Sequence, residues 1–138
     1  MKTPAPKHKL QHSKTIDHYI NWFEIPAQNF DRAVAFYNHL YQIEMECMEM
    51  NGYCMAFFPD RHGVSGAVIF GEGCEPSDRG PILYLNAGDQ LDEMLARVES
   101  GGGRVLMSRT LINDESGSFA LFLDPEGNKL ALHSRTTS

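Results

Sequence analysis

The chain has 138 residues, which is about one domain's worth, since domains most often run to ~100–150 residues. Its 42% hydrophobic, 10% aromatic and 22% charged residues exclude a disordered, collagen-like or coiled-coil polypeptide. The formal charge is −6, but Lys2, Lys7, Lys9 and Lys14 all precede the first acid, Asp17, so residues 15–138 hold 8 basic and 18 acidic groups, or −10; such a surface repels phosphate backbones, and no nucleic-acid partner is expected.

No run reaches the ~18 apolar residues of a membrane span, and the N-terminus lacks the apolar stretch of a signal peptide, so no membrane partner and a cytoplasmic location are expected. Cys47, Cys54 and Cys74 are odd in number and form no CxxC, which reads as reduced thiols.

In chain order, residues 1–17 read as a flexible basic arm with too few large apolar groups to order itself. Its His8 and His12 are four apart, but lack the intervening Glu of HExxH. Residues 19–25, YINWFEI, alternate and are rich in β-formers, which predicts a first strand closed by Pro26. Asn29 caps a predicted helix over 30–40 with an apolar stripe at Phe30, Ala33, Val34, Tyr37 and Leu40. Strands are predicted at 43–50, 53–58 and 65–70, the first two joined by the Asn51-Gly52 turn. Met45, Cys47, Met48 and Met50 have the residue types of a soft-metal site, but Glu44, Glu46 and Glu49 alternate through them, as in a half-buried strand.

A polar connector, 71–81, follows. A strand is then predicted at 82–87, with Asp89 as a second N-cap, a helix stripe at Leu91, Met94, Leu95 and Val98, and a stop at Gly101. Further strands are predicted at 104–107, 118–123 and 128–133, with a ten-residue loop over 108–117 long enough to act as a lid. Phe30–His39, FDRAVAFYNH, superposes on Leu91–Ser100, LDEMLARVES, at an offset of 61 residues. A repeat of this size marks a duplicated supersecondary unit, neither copy of which buries its own apolar faces alone. The fold class expected is α+β: two βαβββ modules, about 18–71 and 81–135, within a domain spanning 18–138.

The phrases NWFEIPAQNFDRAVAFY, ILYLNAGDQLDEMLARVESGGGRVL and FALFLDPEGNKLALHS resemble the vicinal oxygen chelate superfamily, which groups glyoxalase I, bleomycin-resistance proteins and extradiol dioxygenases. The resemblance covers about residues 19–134. It implies curled mixed sheets around a cavity and, with the duplicated halves, a homodimer. It also implies one divalent metal held by His, Gln or Glu on the first and last strands of each module. Here those positions fall on Trp22, Phe70, Leu83 (give or take one residue) and Ala131. Apolar groups do not replace oxygen, nitrogen or thiolate donors, so no metal and no cofactor is expected.

On a strand, i and i+2 share a face, so Trp22 brings Glu24 with it and Ala131 brings His133. Glu24 and His133 are therefore candidates for an acid–base couple or a ligand anchor; a structural role at the strand ends is the competing reading. Trp22, Tyr53, Phe70, Tyr84 and Phe119 offer aromatic walls, and Leu83 and Ala131 apolar ones, for a planar or apolar ligand; core packing is the plainer account of each aromatic taken singly. Gly101-Gly102-Gly103 follows a helix and cannot be a phosphate loop, and no GxSxG occurs. The function expected is the binding of a small organic molecule without the metal. The alternative is a lyase, isomerase or dioxygenase with shifted ligands or with the Glu24/His133 pair.

Overall fold

The computed structural model describes residues 16–135. Most of the expected basic arm, with His8 and His12, lies outside the described residues; Ile16 and Asp17 are in neither helix nor strand. The first module contains β1 (Phe23–Pro26), α1 (Phe30–Tyr41), β2 (Glu46–Met50), β3 (Tyr53–Asp60) and β4 (Gly63–Phe70). The second contains β5 (Tyr84–Asn86), α2 (Leu91–Ser100), β6 (Arg104–Asn113), β7 (Gly117–Leu123) and β8 (Lys129–Ser134). Each module forms its own four-stranded sheet, in the orders β1-β4-β3-β2 and β5-β8-β7-β6. The β1/β4 and β5/β8 pairs are parallel and the rest antiparallel. These are the two βαβββ units the repeat implies, and neither sheet closes on itself.

Local chemistry explains the element boundaries. The Asn29 side chain accepts a hydrogen bond from the Arg32 amide at 3.0 Å and so satisfies one orphan donor of α1. Ala33, Phe36, Tyr37 and Leu40 are buried at i, i+3, i+4 and i+7. Asn51 and Gly52 both take positive φ, 54° and 84°, the geometry that matches strand twist in a two-residue hairpin.

The core is continuous across both modules. Phe58 of β3, Tyr37 and Phe36 of α1 and Phe122 of β7 form a chain of rings, with centroid separations of 5.6, 4.8 and 6.1 Å. Each large side chain buried in this way contributes about 1.5–3 kcal/mol from lost hydration, and each ring pair adds roughly 0.5–1.5 kcal/mol. Each helix packs on one face of its own sheet and on the other helix, leaving the opposite face of each sheet without a helix.

Five expectations need correction. The first strand is shorter than 19–25: only residues 23–26 find a partner, on β4, and Tyr19 and Ile20 are 83% and 70% exposed. Pro26 belongs to the strand, as an edge position allows. Second, residues 108–117 are not a lid loop. Strand β6 runs to Asn113 through three register irregularities, and bulges in this polar stretch mask its alternation. Third, Asp89 does not cap α2; Gln90 occupies that position without a side-chain cap bond. Fourth, β2 is not half-buried, for all five of its residues are exposed at the sheet edge. Fifth, Phe70 and Leu83 do not share a face with Trp22 and Ala131, for a reason of register given next.

Candidate functional site

Register separates the two faces of each sheet. In the first, Glu24 lies opposite Ala67, Ala67 opposite Phe57, and Ile69 opposite Met55. On β2, Met48 and Met50 face Met55 and Tyr53. Strand alternation therefore puts Trp22, Glu24, Ala67, Ile69, Tyr53, Met55, Phe57, Met48 and Met50 on the open face. Phe23, Ile25, Val68, Ala56 and Phe58 turn toward α1 and the core, and Phe70 shares their parity. In the second sheet the open face carries Tyr84, Asn86, Phe119, Leu121, Ala131 and His133. Leu83 packs against the buried core.

The amide of Ala27 bonds the carbonyl of Ile69, and the amide of Ala87 bonds that of His133, each at 2.8 Å. These bonds are equivalent, so the offset between modules is 60 at the first strand (27 to 87) and 64 at the last (69 to 133). The helices give 61. A slip of one residue on a strand exchanges its faces, which is why counting from the helices selects Leu83 where Ile82 is the true equivalent of Trp22. Ala67 likewise, and not Phe70, is the equivalent of Ala131. The four positions Trp22, Ala67, Ile82 and Ala131 offer indole, methyl and sec-butyl groups, a set that does not fit a divalent ion. Among the described residues, no three His, Cys, Asp or Glu side chains come together as a metal-holding group.

Glu24 and Tyr84 are equivalent positions, as are Ile69 and His133. The Glu24 carboxylate accepts a bond from the Trp22 indole N–H at 3.3 Å, and Trp22 also approaches Phe57 with centroids 6.4 Å apart. A pocket of about 360 Å³ on the open face of the first sheet is lined by Glu24, Met48, Met50, Asn51, Tyr53, Met55, Ile69 and Cys74. Burial raises the Cys74 thiol pKa, and the nearby Glu24 charge raises it further. Cys74 is thus held as the neutral thiol, not as a nucleophile. The expected Met/Cys cluster is divided: Met45 is in the core, Cys47 has the opposite parity, and Met48 and Met50 line the pocket with Met55.

On the second sheet, His133 Nε2 lies 2.7 Å from the Ser116 carbonyl oxygen. A carbonyl only accepts, so Nε2 carries the proton and only Nδ1 is left to take another. Tyr84 and Phe119 rings lie 5.9 Å apart. The five candidate aromatics therefore do not form one wall: Trp22 and Tyr53 belong to one open face, Tyr84 and Phe119 to the other. Glu24 lines a second pocket of about 240 Å³ with Glu75, Arg79 and Lys129, and His133 lines neither pocket that Glu24 reaches. Glu24 and His133 stand on the open faces of different sheets. A larger groove, about 960 Å³, runs between β5 and the first module, past Phe23, Phe58, Tyr84 and Asn86.

Asp124 and Glu126 fall between two predicted strands and Asn128 reads as the first residue of the last one, yet the three join the modules. Asp124 accepts from the Tyr37 hydroxyl at 2.7 Å and from Asn128 Nδ2 at 3.0 Å, and Asn128 Nδ2 also donates to the Pro26 carbonyl at 2.8 Å. Glu126 accepts the Gln28 and Asn29 amides, both at 2.8 Å, and Arg32 Nε at 2.6 Å. The Pro-Glu-Gly spacing signals the turn, but nothing in it shows that its carboxylates reach back to the first module. This latch holds β1, and with it Glu24, against the second module.

Residues 16–132 match the family model of the Glyoxalase/Bleomycin resistance protein/Dioxygenase superfamily. The chain belongs to that superfamily. A search of curated sequences finds no match. Among solved structures, a glyoxalase/bleomycin resistance protein from Albidiferax ferrireducens T118 is 17% identical, with a TM-score of 0.62 over 83% of this chain and 97% of that one. A family enzyme from Burkholderia phytofirmans PsJN is 13% identical, with a TM-score of 0.62 over 84% and 98%. Glyoxalase I from Zea mays is 17% identical, with a TM-score of 0.66 over 85% of this chain but 44% of its own length. At these identities the likeness establishes the fold. Among the described residues, no helix is long and apolar enough to cross a membrane.

Proposed function

We propose that the protein binds a small organic molecule on the open sheet faces and uses no divalent metal to do so. The observation that carries this reading is the methionine-lined pocket beside Glu24, at about 360 Å³. Its size falls at the lower end of the ~300–1,000 Å³ range of small-molecule sites, and it has the usual make-up of apolar walls with few polar groups. The open-face positions equivalent to the family's ligands carry Trp22, Ala67, Ile82 and Ala131, which supports binding over metal-assisted chemistry.

A second copy of the chain is the partner we assign to the open faces. Met50 and Tyr84 remain 56% and 55% exposed on the two sheets, with Trp22, Met48 and Tyr53 also exposed on the first, and exposed apolar side chains clustered on one face mark an interaction surface. A homodimer covers it while leaving the pocket as an enclosed cleft. The test is a titration of untagged protein with the neutral dye Nile red, together with elemental analysis. Saturable binding that Met55→Glu abolishes, without a stoichiometric divalent ion, is expected. A tightly held ion at one per chain, or no saturable binding, overturns the reading.

A further inference from the structure

We propose that the pocket selects an organic cation: a substituted ammonium group carried on an apolar or aromatic body, with Glu24 as its counter-ion and the Trp22 indole as its neighbour. This deepens the binding reading above and rests on it.

Among the described residues Glu24 is in no ion pair, although Arg79 and Lys129 line the neighbouring pocket with it. The two ion pairs among the described residues are Arg32–Glu126 and Arg109–Asp92, and neither involves it. The group that meets Glu24 is the neutral indole N–H of Trp22, at 3.3 Å and on one oxygen. The second oxygen is left to accept. On the pocket side the neighbours are thioethers, the sec-butyl group of Ile69, the Tyr53 ring, Asn51 and the neutral Cys74 thiol. None of these supplies positive charge.

The surroundings reinforce the same sign. Residues 16–80 contain the bases Arg32, Arg61 and Arg79, and the acids Asp17, Glu24, Asp31, Glu44, Glu46, Glu49, Asp60, Glu72, Glu75 and Asp78, a balance of 3 minus 10, or −7; Lys129 of the second module, which shares the neighbouring pocket with Glu24, offsets one of these charges. An anionic ligand meets repulsion at close range and in the wider field. An inorganic divalent ion finds a single carboxylate where it needs several hard donors. An organic cation needs one carboxylate, polarizable contacts for its alkyl groups and an aromatic face. Met48, Met50 and Met55 supply adaptable thioether contacts, and Tyr53 supplies a ring quadrupole from the pocket wall, with the Trp22 indole beside it through its bond to Glu24.

Trp22 is the single tryptophan of the chain, so its emission reports on this site alone. The experiment titrates the full-length protein with phenyltrimethylammonium, its neutral isostere tert-butylbenzene and the anion benzenesulfonate, following Trp22 fluorescence with calorimetry as a second readout. The cation is expected to bind saturably and about tenfold more tightly than the isostere, the order of magnitude of one charge-assisted contact; benzenesulfonate is expected not to bind. Glu24→Gln should remove most of that advantage and leave the isostere unchanged. Glu49→Gln, which alters the field but not the pocket, should change it less than twofold.

Equal affinity for cation and isostere, or an advantage that survives Glu24→Gln, overturns the cation inference while leaving an apolar binding protein. Failure of the three probes and of Nile red alike removes the binding reading as well. Unchanged melting of Glu24→Gln confirms that the comparison is made on folded protein.

Discussion

His39 Nε2 lies 2.7 Å from Ser100 Oγ, and these two residues are each other's equivalents in the duplicated helices, 61 positions apart. A residue that touches its own counterpart lies on the pseudo-twofold axis relating the halves. The helices meet there, and Gly101 permits the approach: a Cβ on it would be 3.0 Å from His39 Cδ2 and 3.2 Å from Phe36 Cδ1. His39→Ala removes one hydrogen bond at this axis and should lower stability by about 1 kcal/mol, read by urea denaturation.

The Asp124 latch gives a pH-dependent prediction. Burial raises the Asp124 pKa, while bonds from Asn128 and Tyr37 oppose the rise. A raised carboxylate favours folding below its unfolded value and loses that contribution as pH rises through its folded value. Tyr37→Phe withdraws a donor from the ionised form, so its cost should be larger near neutrality, about 1–2 kcal/mol, and should shrink as pH falls through the raised folded value of Asp124. Denaturant midpoints near neutrality and below that value check this; a cost that is the same at both refutes it.

Glu126 behaves in the opposite sense. Burial would raise its pKa, but Arg32 and the Asn29 and Gln28 amides together hold it below the usual carboxylate range. A depressed carboxylate contributes stability above its unfolded value and loses it as pH falls through the folded one. Glu126→Gln should therefore cost about 2 kcal/mol at neutral pH and flatten the acid side of the stability profile. A variant with the wild-type acid profile would show that the latch carries no linkage.

Much of this architecture was legible in the chain. The stripe Ala33, Tyr37, Leu40, the cap Asn29 and the Asn51-Gly52 turn depend on local chemistry, which a sequence displays directly. The site depends on register, which it does not. The extra residue in Gly88-Asp89-Gln90 relative to Gln28-Asn29 changes the offset from 61 at the helices to 60 at β1 and β5, and a single residue moves Leu83 from open face to core. The continuation of β6 past Met107 was hidden for a related reason: its irregularities at Met107 and Thr110 break the alternation that identifies a strand. The pocket was unreadable because Cys74, from the connector, joins Met48 and Met55 only after folding.

Gly117 shows how narrowly the β6–β7 turn is specified. It has φ of +81° at the first residue of β7, and a Cβ there would overlap the carbonyl oxygen of Ser134 on the neighbouring strand. The atoms it would meet, in Ser134 and Arg135, are all backbone, so no flexible side chain is there to yield. Gly117→Ala should destabilise the protein by more than about 2 kcal/mol, combining left-handed strain with displaced pairing. Gly127→Ala, at φ +97° in open space, should pay the strain alone and cost less. Thermal melts of the two variants decide this, and equal losses would remove the steric contribution.

The open faces make the assembly testable independently of any ligand. With a chain mass of 15.5 kDa, a homodimer gives twice that value by light scattering, and its melting temperature rises with protein concentration because association stabilises the folded state by mass action. Tyr84→Arg and Met50→Arg place charge on exposed apolar positions of the two sheets and should return the mass to that of one chain without loss of helical signal. A wild-type mass that stays near 15.5 kDa across concentrations would leave both faces to solvent and refute the dimer. It would also require the pocket beside Glu24 to hold its ligand from one side only.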